Sequence, residues 1–308
     1  MKIVSLLPSS TEICFLLELG PQIVGVSHEC DYPSQAKGHP ILTAAKIDPT
    51  AKSNEIDQAV NKLVEQGLSV YNVNESVLKD LKPDLIITQD TCEVCAVSLK
   101  EVEEATCRLL DSDTKIVSLS PLSFDDVMDD ILKVGKAVGK FSLAQEKVAS
   151  LRKRLDALKF KTKELPHPKV LMVEWMLPPM VAGHWTPELV KIAGGTPILG
   201  KANTPTGPIP WEEITNSGAE VIIIAPCGFK IDQSMQEIEE FVKHPGMKNL
   251  PAIKNNRLYI IDGNAYFNRP GPRLIESAEV LATAIHPELS EKFQFSNQDL
   301  IHYDTTKS

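Results

Sequence analysis

The sequence predicts an α/β protein: two three-layer α/β lobes with parallel sheets, bridged by a single long helix. Three observations carry this. Short apolar runs alternate with helical stretches up to about residue 122, and again from about 168 to 286. Strands alternating with helices imply a parallel sheet covered on both faces. Between the two series, residues 123–167 read as helical, ending in a long helix. The length, 308 residues, suits about two domains.

In the first series, 2–7 is a short buried strand, and Ser9 and Ser10 offer an N-cap to a helix running to Gly20. Residues 23–26 form the next strand. Residues 54–66 form a helix with Ile56, Val60, Leu63 and Val64 on one face, stopped by Gly67. A strand at 70–73, a short helix at 76–81, a β-branched strand at 85–88, a helix at 99–110 and a strand at 115–118 complete the first lobe, residues 1–122.

The middle region, 123–167, holds a helix at 124–138 and a longer one at 142–160. In the longer one Ala144, Val148, Leu151, Leu155 and Leu158 make an apolar stripe, with Lys and Arg crowding the other face. The second lobe, 168–286, begins with a strand at 169–174. Helices at 187–193 and 210–216, a strand at 221–225, a helix at 235–242, a strand at 257–261 and a helix at 272–285 follow. Residues 287–308 read as a loose polar tail.

Hydrophobic residues make up 43% and charged residues 24%, enough for a sizeable core. With 32 Lys and Arg against 41 Asp and Glu, the net charge of −9 argues against a nucleic-acid partner. No apolar run is long enough for a transmembrane segment. Met1-Lys2 leads directly into a strand, so the chain as written is expected in the cytoplasm. It is expected in the periplasm or another extracytoplasmic space if a leader has been trimmed. Of six cysteines, Cys14, Cys107 and Cys227 have apolar neighbours and read as core, while Cys30, Cys92 and Cys95 lie in polar segments.

Five segments then stand out together. They are Ser5-Leu6-Leu7-Pro8-Ser9-Ser10-Thr11-Glu12, Val24-Gly25-Val26-Ser27 with Asp31-Tyr32-Pro33, Leu81-Lys82-Pro83-Asp84-Leu85-Ile86-Ile87, Ile192-Ala193-Gly194-Gly195, and Asn268-Arg269-Pro270-Gly271-Pro272-Arg273. In this order and spacing the chain resembles the substrate-binding proteins of cobalamin and ferric-siderophore ABC importers, the helical-backbone metal receptors, from about residue 2 to 285. The cobalamin-binding members are the nearest likeness. The resemblance implies a rigid two-lobed receptor, not an enzyme, with a large metal chelate such as cobalamin or a related corrinoid held in a cleft between the lobes. It also implies an ABC permease partner, met through one Glu on each lobe. Glu212 matches the second-lobe position. Ser76, with Glu75 adjacent, stands at the first, which weakens the case for docking. Thr206 stands where the cobalamin importer protein places a tryptophan, which puts the ligand's identity in question.

Four clusters form the candidate site. His28, Glu29, Cys30, Asp31 and Tyr32 follow the strand at 23–26, so they sit at a strand's C-terminal end, where such sheets bind ligands. Tyr32 or a residue just before it matches the family's ligand-touching tyrosine. His28 or Cys30 could ligate a transition metal; alternatively Asp31 caps a turn and His28 is merely solvated. Gln89, Asp90, Cys92 and Cys95 follow the strand at 85–88. Cys-x-x-Cys is half of a zinc site or a redox pair, completed by His28 or Cys30, or else two structural thiols at a helix start.

Glu174, Trp175, His184 and Trp185 form the third cluster. Aromatic faces with a histidine alongside suit a flat macrocycle, with the histidine as an axial ligand; the plain alternative is core packing. Trp211 reads as structural. Asn264, Tyr266, Phe267, Asn268 and Arg269 form the fourth. Arg269 either grips a carboxylate or phosphate or closes an internal ion pair. Ser9, Ser10 and Thr11 at a helix start either bind an anion or only cap.

The function expected is non-catalytic binding of a corrinoid or other metal chelate. The rival is a cytosolic enzyme, or a cofactor-handling or sensor protein, using Cys30, Cys92, Cys95, His28, Glu174 and His184 on the same scaffold. No Gly-rich phosphate loop, Gly-x-Ser-x-Gly or His-Glu-x-x-His supports that rival.

Overall fold

The computed structural model describes residues 1–66, 70–89, 99–109 and 114–307, and in it the strands form a four-stranded sheet, a seven-stranded sheet and a two-stranded ribbon. The elements in order are β1 (Ile3–Ser5), α1 (Pro8–Leu16), β2 (Ile23–Val26), β3 (Thr43–Ala45), α2 (Ser53–Glu65), β4 (Tyr71–Val73), α3 (Glu75–Leu81), β5 (Leu85–Gln89), α4 (Leu99–Leu109) and β6 (Lys115–Leu119). Then come α5 (Phe124–Ala137) and α6 (Phe141–Thr162). The remainder is β7 (Lys169–Trp175), β8 (Met180–Val181), α7 (Thr186–Ile192), β9 (Thr196–Pro197), β10 (Gly207–Pro208), α8 (Trp211–Thr215), β11 (Val221–Ile224), α9 (Ile231–Val242), α10 (Pro251–Lys254), β12 (Leu258–Ile261), α11 (Leu274–Ile285) and β13 (Leu300–Tyr303).

The chain divides into two units. The first comprises Met1–Pro49, Gln58–Pro121 and Asp125–Ser150; the second comprises Thr50–Asp57, Leu122–Phe124 and Leu151–Ser308. The helical region expected at 123–167 is thus shared, with the 22-residue α6 contributing to both units.

The first unit is built on a parallel sheet of order β2-β1-β5-β6. Side chains alternate across it. Val4 and Ile86 face one way, packed with Leu78 of α3 and Val102 and Ala105 of α4. Ser5 faces the other way and meets Ser10 and Thr11 of α1. The Ser9/Ser10 cap expected from the sequence is not what starts α1. Leu7 is the N-cap and Pro8 occupies the first turn, where its missing N–H costs nothing. β4 does not join this sheet but pairs antiparallel with β3. Asn74 caps α3, accepting from the Val77 N–H at 3.2 Å.

In the second unit the order is β10-β8-β7-β11-β12-β13, with β9 beside β7. β7, β11 and β12 are parallel, while β8 pairs antiparallel with β7, β10 antiparallel with β8, and β13 antiparallel with β12. One face buries Leu171, Val173, Ile222, Ile224 and Ile260 against Ile238 and Phe241 of α9 and the Met247–Leu250 segment. The tail expected to be loose instead supplies β13. Ile301 and Tyr303 pack on that core, and polar neighbours hid this short apolar run. Arg154 on α6 fixes α11 by charge-assisted bonds of 2.7 Å to Glu276 and 2.6 Å to Glu279.

Cys14 is core, as expected, but Cys107 is exposed and Cys227 is half-buried. Val102, Ala105 and Thr106 take the buried face of α4, and residue 107 lies beyond that face. Among the described residues no helix is long and apolar enough to cross a membrane.

Candidate ligand-binding site

In each unit the parallel strands end on one edge of the sheet, and the loops after them carry most of the residues singled out by sequence. In the first unit the loop after β2 is held by Thr43 at the start of β3. Thr43 Oγ1 receives the His28 backbone N–H at 3.1 Å and lies 2.7 Å from His28 Nδ1. The ring packs 5.5 Å from Tyr71, and Nε2 lies 3.2 Å from Glu29 Oε1. Glu29 and Asp31 are half-exposed, and Tyr32 is exposed, beside solvent.

Cys30 turns inward. It is buried, and its sulfur accepts from Thr11 Oγ1 at 3.1 Å. Ser5 completes this interior cluster, with Oγ 2.5 Å from Ser10 Oγ and 2.7 Å from Thr11 Oγ1. Burial, with the neighbouring Cys30 in support, pushes the Cys14 thiol up to about 12. The Ser10 hydroxyl therefore serves the interior rather than an anion. Ser9 is buried too, and its hydroxyl has no hydrogen-bond partner among the described residues. Gln89 is buried at the end of β5. Asp90, Cys92 and Cys95 lie outside the described residues, so of the metal site expected on His28, Cys30, Cys92 and Cys95 only the first two are placed. Among the described residues no group of three His, Cys, Asp or Glu is arranged to hold a metal ion.

The second unit brings more of its candidates together. Glu174 and Trp175 end β7, and a hairpin returns through Gly183, His184 and Trp185. Thr206 ties the two. Its hydroxyl donates to Glu174 Oε2 at 2.9 Å and accepts the Gly183 N–H at 3.0 Å. Gly183 is required here, because a Cβ would stand 2.2 Å from the Thr204 carbonyl oxygen. Trp175 is half-buried, 5.1 Å from the Phe229 ring, and its Nε1 has no hydrogen-bond partner among the described residues. Trp185 is almost buried, and its Nε1–H donates to the Phe267 carbonyl at 2.7 Å. His184 packs beside it, ring centroids 5.2 Å apart. Burial pulls the His184 imidazole below its ordinary range.

The loop after β12 mostly turns inward. The Tyr266 hydroxyl donates to Asp299 at 2.8 Å, and Phe267 is buried. The Asn268 side chain donates to the Gly263 carbonyl at 2.9 Å. Arg269 is buried and donates to Asn264 Oδ1 at 2.8 Å, a bond to a neutral amide that braces this loop. Burial raises the Asp262 carboxyl against the opposing pull of the Ala265 and Asn264 N–H groups, Lys230 and Arg269.

Thr43, Thr204 and Asp299 organise these loops and carried no sequence signal, since hydroxyls and carboxylates are common in any loop and the Thr204 carbonyl that acts here belongs to the backbone of every residue. Trp211 is structural, stacked on His244 at 3.8 Å and packed on the core. Ser76 and Glu212, the positions matched to permease docking, and Glu75 beside the first of them are all exposed.

The family model for periplasmic binding proteins matches residues 3–265. The chain is 25% identical over 288 residues to an uncharacterised ABC transporter substrate-binding lipoprotein, YvrC, of Bacillus subtilis, covering 93% of this chain and 80% of that one. It is 23% identical over 280 residues to a vitamin B12-binding protein of Vibrio vulnificus, covering 90% and 87%. Its fold is similar to a periplasmic heme-binding protein of Pseudomonas aeruginosa, with TM-score 0.69, 18% identity, and 93% and 92% of the two chains covered.

Proposed function

Because the chain belongs to the periplasmic binding protein family, we propose that it is a non-catalytic receptor for a metal chelate of the corrinoid or related tetrapyrrole class. The observation that carries this reading is the constellation on the second unit's strand ends. The half-buried Trp175 and His184 offer aromatic faces, the nearly buried Trp185 backs the histidine, and the hydrogen bonds of Thr206 and Trp185 fix their loops before any ligand arrives. A flat, largely apolar macrocycle suits such faces, and preorganisation lowers the ordering cost of binding it. The half-exposed Glu174 and Asn264 and the exposed Lys230 provide polar contacts for its edge. In the first unit, Glu29, Asp31 and Tyr32 offer a second accessible loop. Vitamin B12 and heme, named for a relative and a structural neighbour, both belong to this class.

As a receptor of this family, the protein would act outside the cytoplasmic membrane and deliver its ligand to an ABC permease, with exposed Glu212 on α8 as a contact. Titration with cyanocobalamin and with hemin, followed by tryptophan fluorescence and calorimetry, tests the reading. Saturable 1:1 binding of at least one, with Kd around micromolar or tighter, is expected. Failure of both to bind would overturn it.

A further inference from the structure

The family model matches residues 3–265, and the loop after β12 is braced by a segment beyond that range. Asp299, half-buried just before β13, is its centre. Its Oδ1 accepts the Tyr266 hydroxyl at 2.8 Å, and its Oδ2 accepts the Ser296 N–H at 2.8 Å and the Ser296 hydroxyl at 2.6 Å. Its backbone carbonyl accepts the Asp262 N–H at 3.0 Å, directly after β12. Burial raises the Asp299 carboxyl, but the hydrogen bonds from Ser296 and Tyr266 outweigh it and hold it below its ordinary range. It is therefore ionised at neutral pH, and its bonds are of the stronger, charge-assisted kind. The Phe295 ring meets the Tyr266 ring edge-on, centroids 6.2 Å apart.

Tyr266 precedes Phe267, which is left-handed at φ +65°, a backbone that side chains other than glycine adopt rarely. That turn is held from three sides. Asp299 fixes the Tyr266 ring, the Phe267 N–H donates to Ser277 Oγ at 3.1 Å, and the Asn268 N–H donates to the Tyr266 carbonyl at 2.7 Å. The turn sets the direction of the Phe267 carbonyl, which meets the Trp185 indole N–H at 2.7 Å. Tyr266, Phe267 and Trp185 are all buried. A carbonyl that swung away would leave a buried indole donor unpaired. Trp185 in turn follows His184, left-handed at φ +49°, in the hairpin that Thr206 ties to Glu174. One chain of contacts within the second unit thus runs from the C-terminal segment to the strand-end residues of β7.

We propose that Asp299 is a positioning residue for the binding site and that the C-terminal segment 295–303 is its brace. By holding Tyr266 it keeps Phe267 in the left-handed turn, and so keeps Trp185 and the hairpin ordered. The C-terminal segment then sets affinity without touching the ligand, because loops that are already ordered give up less freedom on binding. This effect on affinity rests on the receptor reading above; the coupling of Asp299 to Trp185 does not.

The test uses the full chain and follows hydrogen exchange of the Trp185 indole N–H by nuclear magnetic resonance. The backbone amides of β11, buried in mid-sheet, serve as the reference for global unfolding. Tyr266→Phe removes only the hydroxyl. It should speed exchange at Trp185 about 10-fold relative to the β11 amides. It should also weaken binding of cyanocobalamin or hemin, whichever the wild type binds, by about 3- to 10-fold. Asp299→Ala should do the same, and Asp299→Asn, which keeps an acceptor oxygen, should recover most of the loss. Unchanged exchange at Trp185 in Tyr266→Phe and Asp299→Ala would overturn the coupling, as would equal acceleration at Trp185 and β11, the mark of a general loss of stability. Faster exchange at Trp185 with unchanged affinity would overturn the role in binding. If the wild type binds neither probe, the receptor reading and the role in binding fall together, while the exchange comparison still decides the coupling.

Discussion

The indole N–H of Trp185 donates to the carbonyl oxygen of Phe267 at 2.7 Å, joining two loops that are 82 residues apart in the chain. The bond is buried and links the hairpin after β7 to the loop after β12. Replacing Trp185 with Phe keeps an aromatic face but leaves the carbonyl unpaired. We expect a loss of about 1–3 kcal/mol in denaturant unfolding, together with weaker binding of cyanocobalamin or hemin. Unchanged stability and affinity would show that this bond does not set the site.

Gly183 predicts a second outcome. In Gly183→Ala the new Cβ would meet backbone, the Thr204 carbonyl oxygen, which cannot swing aside like a side chain. The hairpin must shift, at about 1–3 kcal/mol for an overpacked position. A melting temperature equal to wild type would contradict the contact.

Asp130 on α5 makes stability depend on pH. Its carboxyl is 6% exposed. Burial, aided by Asp126 and Asp129 and opposed by Lys133 and the Ser120 N–H, pushes it up to about 7. The folded chain therefore holds a proton that the unfolded chain releases near pH 4, and stability falls as pH rises from about 4 to 7. Asp130→Asn should be more stable than wild type at pH 8, by at most about 4 kcal/mol. The difference should vanish near pH 4. Urea melts at both pH values check it, and an equal effect at both would refute the assignment.

At the start of α2, Glu237 accepts the Ser53 N–H at 2.8 Å and the Ser53 hydroxyl in a short bond, and both residues are buried. Ser53→Ala removes one of these donors from a buried carboxylate. The expected loss is about 1–3 kcal/mol, read by chemical denaturation. Ser53→Thr, which keeps a hydroxyl, should recover part of it.

Much of the fold was legible because each element's pattern is local. The apolar runs at 85–88 and 221–225 become β5 and β11, and the stripe from Ala144 to Leu158 becomes α6. The strand-end rule also placed His28–Tyr32, Glu174–Trp175 and Asn264–Arg269 at the C-terminal ends of β2, β7 and β12. It did not say which of their side chains face outward. Cys30 and Ser10 turn into a hydroxyl cluster around Ser5, and Arg269 turns to Asn264. Their direction depends on what the neighbouring helix or loop offers, and that neighbour is distant in sequence. The final strand escaped notice for a related reason. Leu300–Tyr303 is stabilised by pairing with Leu258–Ile261, and nothing in its own composition announces that partner.

By itself the sequence determined the alternating α/β plan, the long helix and the placing of aromatic and histidine side chains at strand ends. Periodicity and turn chemistry record burial element by element, and the resemblance carried by five motifs ordered those elements into a receptor. Only the tertiary structure decided that Trp185 braces Phe267, that Thr206 ties Glu174 to the hairpin, and that His184 is held in a left-handed turn with its ring nitrogens unpaired among the described residues. A polar group finds its partner through the register of strands and loops dozens of residues away, and no local pattern encodes that distance.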